Sequence, residues 1–126
     1  KGKDYVMNLI ASSEVMVIPS VVTKAGDQEG MPLTLMESTA SGVAVIATDL
    51  PGINEVIIDG KNGLLVPPND SGALREALKS LLTDSNQRAL FARELAKQSH
   101  RFSVDTVVAQ YKEVLMRALD KSDGAE

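Results

Sequence analysis

Three short runs in the chain are apolar at every position: Val15-Met16-Val17-Ile18, Val43-Ala44-Val45-Ile46 and Leu64-Leu65-Val66. A strand without polar alternation must be covered on both faces, which is the pattern of a buried parallel strand. Pro19-Ser20 stops the first run and Pro67-Pro68 the third. Between the runs the apolar spacing changes to the helical period. Asp4 to Ser13 predicts a helix with Tyr5, Leu9 and Ile10 on one face. Val21 to Gly30 is a loop. Met31 to Gly42 predicts a second helix, with Pro32 in its first turn and Gly42 ending it. Asn54 to Ile58 is a short helical or extended piece, and Asp59-Gly60-Lys61-Asn62-Gly63 is a turn.

Three helices follow the third strand. Asp70 or Ser71 caps one whose stripe is Leu74, Ala77, Leu78, Leu81 and Leu82. Ser85 starts another, through Leu90, Phe91, Leu95 and Ala96. Ser103 caps the last, whose apolar face runs Val104, Val107, Val108, Tyr111, Val114, Leu115, Ala118 and Leu119, with Tyr111 read as core. Strand, helix and strand with short connections make a right-handed parallel unit. The expected fold is α/β: a Rossmann-like parallel sheet of about three strands, helices on both faces and a helical C-terminal end. Residues 1–126 read as a single domain.

Charge is unevenly spread. Residues 1–70 hold four Lys, no Arg and nine acids, and residues 71–126 hold nine bases and eight acids. The overall −4 argues against nucleic acid, which wants a basic surface. With no Cys and one His, His100, disulfides and thiolate sites are excluded and an imidazole metal site is disfavoured. His100 and Arg101 stand at a helix end, where a cation complements the dipole. Glu55 reads as bracing its turn, and the four early lysines, Lys24 among them, as solvated.

Glu29 to Gly42 carries the candidate chemistry. The segment follows a buried strand and a loop, so its helix opens at the carboxyl edge of the sheet, where ligands of open α/β sheets bind. Unpaired N–H groups and the positive dipole end suit phosphate there. Glu37 is the one charged residue of the helix, on a polar stripe with Thr34, Ser38 and Ser41. A carboxylate on a largely buried helix needs donors, which sugar or ribose hydroxyls would supply. On these grounds alone Glu29 could simply favour the dipole and Glu37 could be a solvated surface residue. No Gly-rich dinucleotide or P-loop pattern is present.

Ile18-Pro19-Ser20, Glu29 to Asp49, Gly52-Ile53-Asn54-Glu55-Val56, Gly60 to Pro67 and Asp70 together resemble the donor-binding half of family-4 glycosyltransferases of the GT-B architecture. The pair Glu29 and Glu37, with seven residues between, is similar to that family's two-glutamate motif. Leu74 to Leu82, Arg93 and Phe102-Ser103 to Tyr111 fit the helical end of such enzymes. The loop Ala25 to Gln28, with Met31-Pro32, looks most like bacterial exopolysaccharide-building members.

The resemblance implies a retaining, metal-independent transfer from a UDP- or GDP-linked sugar to a saccharide or lipid-linked acceptor. Glu29 would face the reacting sugar as the catalytic residue. Gly30 and Met31 would line the sugar pocket, the N–H groups of Leu33 and Thr34 would meet the diphosphate, and Glu37 would accept from the ribose hydroxyls. Pro32 replaces the Gly of many relatives and offers no N–H. It implies no cofactor and no metal. The chain would be the C-terminal part of the donor half, inactive alone, with an N-terminal acceptor half missing. A cytoplasmic location is expected, with membrane contact only through missing parts. A homodimer held by the last helix or by an edge strand such as Val15 to Ile18 is also expected. The competing reading is a non-catalytic α/β nucleotide- or anion-binding module, such as a response-regulator-like or flavodoxin-like domain. The scarcity of aromatics (two Tyr, two Phe, no Trp) counts against a flavin sandwich.

Overall fold

The structure, a computed structural model, describes residues 2–26 and 32–123. Three strands, β1 (Val15–Ile18), β2 (Ala44–Thr48) and β3 (Leu64–Val66), form one parallel sheet in the order β1-β2-β3. Val15 stands beside Ala44, and Thr48 beside Val66. The helices are α1 (Lys3–Ala11), α2 (Leu33–Ser41), α3 (Ser71–Thr83), α4 (Ser85–Ala96) and α5 (Val104–Asp123), with a 3-10 turn over Ser99–Phe102.

All five residues of β2 are buried, as a central strand covered on both faces requires. Its side chains alternate between two cores. Val45 and Ala47 join Ile10 of α1, Leu35 of α2, Leu95 of α4 and the loop residues Leu50, Ile53, Val56 and Ile57. Ala44 and Ile46 join Leu81 of α3 and Phe91 of α4 on the opposite face. Helices therefore cover both faces, and α4 wedges into both cores. Asp70 caps α3 by accepting from the N–H of Ala73 at 2.9 Å, and Asp84 caps α4 from that of Gln87 at 3.0 Å. Arg88 Nη1 donates to the carbonyls of Leu81 and Leu82, closing the C-terminal end of α3.

Several elements differ from the expectation. Helix α2 starts at Leu33, and Pro32 is its N-cap with an extended ψ of 140°, rather than a first-turn residue. Strand β2 is displaced toward Thr48, whose hydroxyl reaches the Ile18 carbonyl at 3.4 Å. Asn54 to Ile58 is neither helix nor strand. It is a stack of turns in which Asn54 N–H donates to Leu50 and Ile57 N–H to Ile53. Buried Asn62 holds its far end, accepting from Ile58 N–H at 2.7 Å and donating to Val56 O at 3.0 Å.

Tyr111 is not core. It is 69% exposed, and the whole expected face of α5 faces outward, because α5 packs chiefly against the 3-10 turn. Tyr5, Leu9, Leu82 and Leu90 are exposed as well. Helical period identified these faces but not whether an element lies against them.

Candidate functional site

Because α2 joins parallel β1 and β2, it runs antiparallel to both, and its N-terminus opens at the carboxyl edge of the sheet. The first turn is unusually bare. Pro32 has no side-chain acceptor and caps nothing with its side chain. Its carbonyl takes the N–H groups of Leu35 at 3.0 Å and Met36 at 3.4 Å. The N–H groups of Leu33 and Thr34 have no protein acceptor among the described residues. Two adjacent donors at a positive dipole end suit an anion.

Glu37 lies one turn further along. The expected polar stripe resolves into two kinds of residue. Ser38 is fully buried, and its hydroxyl donates to the Thr34 carbonyl at 2.7 Å. The Ser41 hydroxyl donates to the Glu37 carbonyl at 2.8 Å. Both serines thus satisfy themselves on the backbone, as short hydroxyls in helices do. The carboxylate of half-buried Glu37 meets no donor or cation among the described residues. It borders a groove of ≈ 630 Å³ between α1, α2 and the 3-10 turn, walled by Val6, Met7, Met36 and Phe102.

A second hollow, of ≈ 320 Å³, lies at the carboxyl ends of the strands beside the start of α3, lined by Pro19, Thr48, Pro67, Asn69, Asp70 and Ser71 among others. Neither the groove walls on α1 and Phe102 nor this hollow was expected. The signal for the hollow was Asn69 after Pro67-Pro68, a residue type tolerant of the left-handed φ of 58° it adopts.

The structure brings Pro32, Leu33, Thr34 and Glu37 together on one end of α2. Glu29, Gly30 and Met31 lie outside the described residues. His100 is apart, its Nδ1 at 2.7 Å from the Lys97 carbonyl at the end of α4, which fits a helix-end role. Glu55 contributes its backbone: its carbonyl accepts from Arg101. Lys24 is exposed. Among the described residues no group of acids and histidines could hold a metal ion, and no helix is long and apolar enough to cross a membrane.

Residues 1–98 match the family model described as glycosyl transferases group 1. The chain belongs to this family. It is 34% identical over 114 residues to an exopolysaccharide phosphotransferase of Streptomyces coelicolor, covering 90% of this chain and 12% of that protein. It is 31% identical over 120 residues to an amylovoran biosynthesis glycosyltransferase of Erwinia amylovora, covering 93% and 29%. Among solved structures, the sucrose-phosphate synthase of Thermosynechococcus elongatus superposes with a TM-score of 0.79 at 24% identity, over 94% of this chain and 28% of that one. An Anabaena protein in complex with UDP gives 0.76 at 24%, over 86% and 29%. These two establish the GT-B type of fold. The chain spans 12% to 31% of the length of such curated relatives. The group 1 membership places exopolysaccharide-related proteins among its relatives, as the loop before Glu29 suggested.

Proposed function

We propose that this group 1 glycosyltransferase chain supplies the donor-binding end of a retaining transferase that takes a UDP- or GDP-linked sugar. The observation that carries the reading is the open first turn of α2 with unpartnered Glu37 one turn below it. Leu33 and Thr34 N–H groups bind the diphosphate. Glu37 accepts from the two ribose hydroxyls, and the groove beside it leaves room for the nucleoside. A fold of the same kind carries UDP in the Anabaena protein. Glu29 faces the departing sugar, and Gly30 and Met31 line its pocket. Pro32 gives no N–H, so the diphosphate is held by the two amides that follow it.

The chemistry is stabilisation of a leaving group. As the sugar–oxygen bond breaks, charge grows on the diphosphate, and amides already oriented at a helix N-terminus stabilise it without reorganising. No metal is required for that step. Transfer also needs an acceptor site and cations facing the phosphates; residues 1–70 hold four Lys and no Arg. The acceptor is a saccharide or lipid-linked saccharide of polysaccharide assembly, met by an N-terminal half outside this chain, and the work is done in the cytoplasm, at or near the inner membrane. Titration calorimetry of UDP and GDP in the presence of a chelator tests the binding. Saturable binding that needs Glu37 and survives chelation is expected. Binding that requires a divalent cation would refute the metal-independent reading.

A further inference from the structure

Beside Glu37 the groove is walled chiefly by carbon and sulfur: Val6 and Met7 of α1, Met36 of α2 and Phe102 of the 3-10 turn. Two of the hydroxyls that border it are already engaged, Thr39 donating to the Met36 carbonyl at 2.7 Å and Ser103 to Thr106 Oγ1 at 2.8 Å. A solute that fits such a groove is flat and apolar at one end and carries hydroxyls at the other, which describes a nucleoside with its ribose at Glu37. Phe102 is the one aromatic ring among the described walls. It is held from behind. The ring packs on the core that contains Leu35 and Ile57. The Arg101 guanidinium lies over it, 5.9 Å from the ring centroid, and is itself anchored on the Glu55 carbonyl at 3.0 Å and Gln98 Oε1 at 3.3 Å. Arg101 does not wall the groove, so the ring is left to meet what enters. All of these contacts are made within the chain. A ring fixed by core packing and by a tethered cation is a preorganised stacking surface.

We propose that the nucleobase of the donor stacks on Phe102, and that Arg101 is a positioning residue that holds the ring in place. The assignment rests on the donor-site reading of Glu37 and adds the base to it. The amides of Leu33 and Thr34 take the diphosphate, Glu37 takes the ribose, and the base lies along the groove against Phe102. Stacking asks only for a π-face, so it holds uracil and guanine alike.

The chain contains no Trp, so Phe102→Trp places a single indole at the groove wall. UDP should quench or shift its emission, and inorganic pyrophosphate, which has no base, should leave it unchanged. Phe102→Leu keeps apolar bulk without the ring face. It should bind UDP about tenfold more weakly and pyrophosphate within about twofold of the parent. Arg101→Ala should weaken UDP about fivefold and leave pyrophosphate unchanged, with Arg101→Lys recovering part of the loss. An equal loss for both ligands would make Arg101 a structural brace and overturn its positioning role. The Leu33 and Thr34 amide resonances report the diphosphate in every titration. If UDP moves those amides while the indole emission stays constant and Phe102→Leu binds UDP as the parent does, the proposal is overturned and the donor site stands. If UDP moves neither the amides nor the emission, the donor-site reading falls with it.

Discussion

The guanidinium of Arg101 donates to the main-chain carbonyl of Glu55 at 3.0 Å, tying the 3-10 turn before α5 to the turns that follow β2. The same group reaches Gln98 Oε1 at 3.3 Å and lies 5.9 Å from the Phe102 ring centroid. Phe102 in turn walls the groove beside Glu37. One side chain thus links a loop at the sheet edge to the wall of the groove beside Glu37. Arg101→Ala should lower the unfolding free energy by about 1–2 kcal/mol, the range of a partly exposed charge-assisted hydrogen bond. Urea unfolding measures this, and Arg101→Lys should recover part of it.

Much of this arrangement was legible in the chain, and the reasons are local. Each strand is an unbroken apolar run, and a run that cannot expose either face has one place to go. Asp70 and Ser103 cap as expected because capping depends on a few neighbouring atoms: Ser103 Oγ accepts from Thr106 N–H at 3.2 Å. The dipole end of α2 followed from Pro32 and Gly42, with the helix starting two residues after the expected Met31, since a proline fits the N-cap as well as the first turn. Tyr111 could not be placed, because its burial depends on a surface distant in sequence or on another chain. The free state of Glu37 was likewise hidden. Its neighbours Ser38 and Ser41 looked like partners in a polar stripe, yet their hydroxyls bond the backbone.

Gly63 has no room for a side chain. A Cβ there would lie 3.0 Å from the Val45 carbonyl oxygen and 3.0 Å from Ile57 Cγ2. Because one neighbour is backbone of the central strand, it cannot yield. Gly63→Ala should cost about 1–3 kcal/mol. Gly42→Ala should cost about 1–2 kcal/mol for a different reason: its φ of 70° is left-handed, though nothing lies within 4 Å. Thermal unfolding of both variants tests the pair.

Asp70 separates stability from binding. It caps α3 and borders the hollow beside Thr48, which shares no lining residue with the groove at Glu37. Asp70→Ala should lose about 1 kcal/mol of stability. Its affinity for UDP or GDP should stay within about twofold, since no donor contact is assigned to it. A large loss of nucleotide affinity would move the site into that hollow.

Glu37→Gln keeps the shape of the side chain and removes its charge. Acceptance by a charged group is worth about 1.5–3 kcal/mol, so nucleotide affinity should fall about ten- to a hundredfold. The fold should be unaffected, because no described residue donates to the carboxylate. Deoxynucleotides lacking a ribose hydroxyl should bind the parent weakly and distinguish little between parent and variant.

The most direct test is an amide-resolved titration of the ¹⁵N-labelled chain with UDP and with GDP. The N–H groups of Leu33 and Thr34 are the proposed diphosphate donors, and no other described acceptor occupies them. Their resonances should move furthest, with Met36 and Glu37 following, and the Ser71 and Gly72 amides at the start of α3 should stay in place. Saturating shifts centred on α3, with Leu33 and Thr34 unmoved, would contradict the account.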